Sequence, residues 1–189
     1  MNILVLSGSN VGEHTEQATT ALYNLLKEEH GDGNELTYIS LRNKELMFAD
    51  GRNYLDYPGD TGELTRAMMA ADIIFIGTPI FQASIPAVLK NVFDLLPQKA
   101  LEYKTVGIIA NAGSNRHFLI PEQQLKPILG YMKANVVPRY VYLNDRDFGL
   151  TGIDNDDVLF RIRDLVEDTL VLADAYKLVW EKEQERYGF

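Results

Sequence analysis

The sequence predicts an α/β protein, a doubly wound sheet of five parallel strands in the order 2-1-3-4-5, forming a single domain over residues 1–189. Three observations predict it. Short apolar runs alternate with segments of helical spacing along most of the chain. The run Ile73-Ile74-Phe75-Ile76 is apolar at every position, as in a strand covered on both faces. A length of 189 residues at 46% hydrophobic composition suffices for one sizeable core.

Ile3–Leu6 reads as the first strand, and Ser7-Gly8-Ser9-Asn10-Val11-Gly12-Glu13-His14-Thr15 as a loop opening a helix that runs to about His30. Backbone N–H groups of a Gly/Ser loop and the positive end of a helix dipole hold an anion without net positive charge. The hydroxyls of Ser9 and Thr15 would add donors, with Val11 and His14 in the same loop. An ordinary strand-to-helix turn with Thr15 as the cap fits the same residues. The loop matches neither GxGxxG nor GxxxxGK[ST].

Leu36–Ile39 gives a second strand after the turn Gly31-Asp32-Gly33-Asn34. Arg42–Gly62 has no clean period and mixes Leu46, Met47, Phe48, Tyr54, Leu55 and Tyr57 with acids, so it is a folded surface loop or an interface segment. Glu63–Ala71 is expected to be a short helix leading into the third strand.

That strand ends at Gly77 and Pro79. The loop Thr78–Ser84 follows, and Ser84 is expected to cap a helix with Ile85, Leu89, Val92, Phe93 and Leu96 on one stripe, Pro86 in its first turn and Pro97 as its stop. In open α/β sheets ligands bind outside the carboxyl ends of the strands. Pro79, Ile80, Phe81, Gln82, Ala83 and Ser84 are therefore site candidates, with Phe81 offering a flat apolar edge to a planar ligand. Val106–Ala110 is a fourth strand, and its loop Asn111–His117 adds Ala112, Gly113 and Ser114; Arg116 and His117 are a cationic or titratable pair nearby. Pro127 within Glu122–Met132 breaks the helical ladder and predicts a kink or π-bulge. Val136–Leu143 is the fifth strand, with Pro138 marking an edge or bulge. Asn144–Asp157 is loop, and Val158 to about Glu185 is one long amphipathic helix in which Tyr176 and Trp180 serve core or interface.

Composition excludes several functions. Zero cysteines rule out disulfides and thiolate chemistry, three scattered histidines make a metal enzyme a poor reading, and a net charge of −9 argues against nucleic acid or an anionic membrane as partner. The apolar run Ile3–Leu6 is too short for a signal peptide, which predicts a cytoplasmic protein.

Thr78, Pro79, Phe81, Ser84, Leu89, Lys90, Asn91 and Asp94 closely resemble the TPxYxxSxxxxLKNxxD stretch of the NADPH-dependent FMN reductase family, with Phe in place of its Tyr. Ser7, Gly8, Ser9 and Thr15 are similar to that family's phosphate loop, SGSxR followed by Ser or Thr, with Val11 where the family often has Arg. The resemblance covers roughly Asn2–Phe148. From Phe93 to Leu129 it is nearest to reductases that supply reduced FMN to sulfonate monooxygenases, which carry a Tyr in a π-turn where this chain has Gln123; MAADIIFIGTP and NDRDF look more like FMN-dependent azoreductases. The resemblance implies a flavodoxin-like fold and an FMN reductase that takes hydride from NADPH or NADH. It further implies FMN held by the residues singled out at the three strand-end loops. A homodimer or homotetramer and a flavin-dependent monooxygenase partner also follow from it. A quinone or azo reductase with tightly bound FMN, or a flavodoxin-type electron carrier, remains open at this point.

Overall fold

The computed structural model describes residues 1–187; the last two residues of the expected domain lie outside the described residues. Strands β1 (Asn2–Ser7), β2 (Glu35–Ser40), β3 (Ile73–Pro79) and β4 (Thr105–Ala112) lie side by side in the order β2-β1-β3-β4, all parallel. Every residue of β3 and β4 is buried, which explains why their sequences do not alternate.

The alternation reappears in which layer each residue joins. Leu4, Leu6, Ile74, Ile76, Val106 and Ile108 pack with α2 (Gly59–Ala70), α3 (Ala87–Asp94) and α4 (Lys126–Tyr131) on one face. Ile3, Val5, Ile73, Phe75 and Ile109 pack with α1 (His14–His30) and α5 (Asp156–Tyr187) on the other. The expected doubly wound architecture and strand order are therefore observed.

The fifth strand is a correction. It is not one run but two short strands, β5 (Asn135–Val136) and β6 (Val141–Asn144), both parallel to β4. Val136 faces Val106 and Val141 faces Ile109, so five steps of one chain oppose three of the other and two residues bulge out. Val137 still donates to the Val106 carbonyl at 2.9 Å. Pro138 has no N–H to continue.

Three helix starts also differ from expectation. α2 begins at Gly59 rather than Glu63, and α5 at Asp156 rather than Val158. Ser84 does not cap α3; Pro86 holds that position, and the chain from Phe81 to Ser84 closes on itself instead. The break expected near Pro127 is present as a π-turn over Pro121–Leu125, closed by the Lys126 N–H on the Pro121 carbonyl, immediately before α4. Tyr176 and Trp180 pack edge-on to each other, and Trp180 also meets Tyr103 edge-on at 4.0 Å between centroids.

Candidate functional site

The carboxyl ends of β1, β3 and β4 open into a cleft of about 470 Å³ lined by Val11, Gly12, Glu13, His14, Thr15, Pro79, Ile80, Phe81, Asn111, Ala112, Gly113 and Asp145. That volume lies within the roughly 300–1,000 Å³ typical of ligand sites. Three loops far apart in sequence are thus brought together, and eight of the expected residues line the cleft: Val11, His14, Thr15, Pro79, Ile80, Phe81, Ala112 and Gly113.

The helix end at this cleft has its place fixed by close packing. A Cβ on Gly77 would come within 2.2 Å of the Thr19 methyl, so glycine there lets α1 sit directly on β3. The Gly8 N–H donates to the Gly77 carbonyl at 2.8 Å and draws the first loop over the strand end. Gly12, at φ +75°, makes the turn into α1, and no side chain hydrogen-bonds the helix start at Glu13. The first-turn N–H groups are left for a ligand or water.

Thr15 is not the cap. It lies inside the helix, and its hydroxyl donates to the Asn111 side-chain oxygen at 2.7 Å, joining the first loop to the end of β4. Ser9 is buried and does not line the cleft; its hydroxyl donates to the Val11 carbonyl at 2.7 Å and accepts the Val11 N–H, which fixes the loop's shape.

On the opposite wall, Phe81 and Ser84 exchange two backbone hydrogen bonds of 2.9 Å around Gln82 and Ala83, whose φ values of 49° and 59° are left-handed without being glycine. Each such residue costs on the order of 1 kcal/mol and needs support. Gln124, in the π-turn, supplies it: its amide accepts the Ser84 hydroxyl and donates to the Ala83 carbonyl at 2.9 Å. Gln82, Ala83 and Ser84 therefore shape the wall from behind and do not line the cleft.

The third loop is held by the strand after it. The Tyr142 hydroxyl donates to the Ser114 carbonyl at 2.7 Å, Asn144 donates to the Asn115 side chain at 2.8 Å, and the Tyr140 hydroxyl donates to the Phe118 carbonyl. Burial, then the nearby Glu122 and Tyr142, pushes the Tyr140 hydroxyl up to about 12, so it stays a protonated donor. Ser114 does not line the cleft; its hydroxyl accepts the Arg116 N–H, and neither Arg116 nor His117 lines the cleft.

Sequence reasoning missed Gly12, Glu13, Asn111 and Asp145 as lining residues. Asn111 was legible as a polar residue ending an apolar strand. Asp145 lay in a segment similar to azoreductases, but nothing in its spacing tied it to residue 14.

The chain is similar to known proteins over most of its length. A family model described as NADPH-dependent FMN reductase matches residues 1–147. A NAD(P)H-dependent FAD/FMN reductase of Geobacillus thermodenitrificans is 37% identical over 152 residues, 78% of this chain and 80% of that protein. An NADH-dependent FMN reductase, SfnF, of Pseudomonas fluorescens is 32% identical over 108 residues, 57% of this chain and 58% of its own length. Among solved structures, an oxidoreductase from Corynebacterium diphtheriae superposes with a TM-score of 0.69 at 27% identity, covering 92% of this chain and 97% of that one.

Proposed function

The chain belongs to the NADPH-dependent FMN reductase family, and from that membership we propose that the cleft at the strand ends is its flavin site. In this reading the FMN phosphate lies against residues 11–15, in a loop that Ser9 shapes, and the ring lies between residues 79–81, backed by 82–84, and residues 112–113. The protein is an NAD(P)H-dependent FMN oxidoreductase. Bound FMN supplies the ring that accepts hydride from the nicotinamide. The protein's share is binding, orientation and the exclusion of water.

The observation that carries the site assignment is the start of α1. Its first-turn N–H groups have no side-chain cap, and they open beside an apolar wall of Pro79, Ile80 and Phe81. A phosphate provides acceptors for those groups, and a flat ring suits the wall. Backbone donors of this kind explain how an acidic protein of net charge −9 holds an anion.

Relatives named for flavin reduction favour this reading over a quinone or azo reductase or an electron carrier. We further propose a cytoplasmic protein, as the sequence predicts; separately, no helix among the described residues is long and apolar enough to cross a membrane. A flavin-dependent monooxygenase is the proposed recipient of reduced FMN, on the resemblance of Phe93–Leu129. The test is direct: NADPH or NADH oxidation by the purified protein is expected to depend on added FMN, and FMN is expected to bind more weakly once reduced. Absence of both FMN binding and FMN-dependent oxidation would overturn the reading. Equally tight binding in both states would favour a retained cofactor.

A further inference from the structure

We propose that a second cleft, over Trp180 at the amino ends of the strands, binds a free amino acid with an aromatic side chain and reads it as a zwitterion. The cleft measures about 350 Å³ and is lined by Met1, Asp72 and Thr105, which stand at or just before the starts of β1, β3 and β4. The flavin cleft lies at the other ends of the same strands. The 7 residues of β3 put about 20 Å between the two, so this site does not depend on the flavin-site reading.

The charges come chiefly from α5. Lys177 and Glu181 both line the cleft and lie one helical turn apart, the spacing at which opposite charges pair on a helix surface. Lys90 and Asp94, Glu122 and Lys126, and Asp157 and Arg161 have that spacing and close into ion pairs. Lys177 and Glu181 do not, and neither has an ion-pair or hydrogen-bond partner among the described residues. Asp72 adds a second acid, its carboxylate accepting the Asn2 N–H at 2.8 Å with lone pairs to spare. One unpaired cation and two acids around a single cleft match a ligand that carries both signs. A simple anion would meet Asp72 and Glu181, and a simple cation would meet Lys177.

The remaining walls suit a flat apolar body. Ala173, Tyr103 and Trp180 line the cleft, and the indole meets the Tyr103 ring edge-on. Two features here are costly in themselves: the indole Nε1 is buried with no hydrogen-bond partner among the described residues, and Tyr103 holds a left-handed φ of 70° without being glycine. A ligand carboxylate drawn to Lys177 brings an acceptor to the indole N–H. Tyr103 is 54% exposed, so turning its ring to admit that acceptor uncovers little apolar surface. The ligand's carboxylate is thus assigned to Lys177 and the indole N–H, its ammonium to Glu181 and Asp72, and its ring to Tyr103 and Trp180.

Trp180 is the protein's only tryptophan, so its fluorescence reports on this cleft directly. Titration with L-phenylalanine is expected to change that fluorescence saturably, with calorimetry giving the dissociation constant. Phenylpropionate, which lacks the ammonium, and phenethylamine, which lacks the carboxylate, are each expected to bind about tenfold more weakly. Lys177→Gln is expected to lose about tenfold in affinity for L-phenylalanine while binding phenethylamine no more weakly than the wild type. Glu181→Gln is expected to lose about as much for L-phenylalanine while binding phenylpropionate no more weakly. Both side chains are exposed, and thermal melts confirm that the variants fold. No saturable response to L-phenylalanine, equal binding of the three probes, or unchanged L-phenylalanine affinity in both variants would overturn the proposal. Failure of the wild type to bind FMN would count against the flavin site alone.

Discussion

Gln124 donates its side-chain N–H to the Ala83 carbonyl at 2.9 Å, across 41 residues of sequence, and so ties a π-turn to the left-handed turn that forms one wall of the cleft. The extra residue of a π-turn changes which side chains face a neighbouring element. Here it presents Gln124 to Ala83 and Ser84. Gln124→Leu is expected to release the turn at Gln82 and Ala83, weakening FMN binding by about 1 kcal/mol, the usual worth of such a bond, with a small change in Tm. Fluorescence titration with FMN checks this. Unchanged affinity would mean that Phe81 and Ser84 hold the turn alone.

Thr15 and Ser9 are expected to act on FMN through the shape of the loop as well as through any direct contact. Thr15→Val removes the donor to Asn111 and leaves a buried oxygen unpaired, which costs about 1–3 kcal/mol of stability. FMN affinity should fall by about 1–2 kcal/mol for Thr15→Ala or Ser9→Ala, with riboflavin affected less. Thr15→Ser restores the hydroxyl and is expected to recover most of both losses. Equal losses for FMN and riboflavin would remove the phosphate from this loop.

Much of this was legible in the sequence because it depends on local chemistry. The apolar run Ile73–Ile76 could only be a strand covered on both faces, and Pro127 could not complete a helical ladder wherever it lay. The misreadings depend on partners distant in sequence. Ser84 has the chemistry of a cap, yet it is drawn to Gln124 and the Phe81 backbone. The two-residue bulge after Val136 is set by register against β4, which no reading of residues 136–143 contains. The contact of Asp145 with His14 spans 131 positions (145 minus 14) and exists only because β6 ends beside β4 at the mouth of β1.

The protein is expected to be at least a dimer. Asn91, the Asn of the LKNxxD stretch, bonds both the Met47 carbonyl and the Ala49 N–H at 3.0 Å, pinning a loop on which Phe48 is 80% and Leu55 57% exposed. A pinned loop that exposes large apolar side chains is better suited to an interface than to water. Light scattering at micromolar concentration is expected to give a dimer or tetramer mass, and Phe48→Asp to shift it toward monomer. A monomeric wild type with full activity would refute this.

Nicotinamide and electron acceptor are expected to use the one cleft in turn. The sequence offers one loop suited to a phosphate, no GxGxxG, and no second strand-loop-helix with an acid spaced to bind a ribose. A separate cleft of about 400 Å³ lies on the outer side of α1, but its cation, Arg42, is already paired with Glu13 and Glu16. It lacks a free charge for a dinucleotide phosphate. Hydride transfer also requires donor and acceptor atoms in near contact, about 3–3.5 Å apart, so the nicotinamide has to enter beside Phe81 and Gly113, where any second substrate must follow it. With FMN retained, double-reciprocal plots against NADPH at several acceptor concentrations are expected to be parallel. With FMN as the acceptor that leaves, flavin and nicotinamide are bound together for the transfer, and product inhibition by oxidised nicotinamide is expected to be competitive with NADPH rather than with flavin. Intersecting lines with retained FMN, or a complex holding FMN, NADPH and acceptor together, would establish two sites and overturn the single-cleft account.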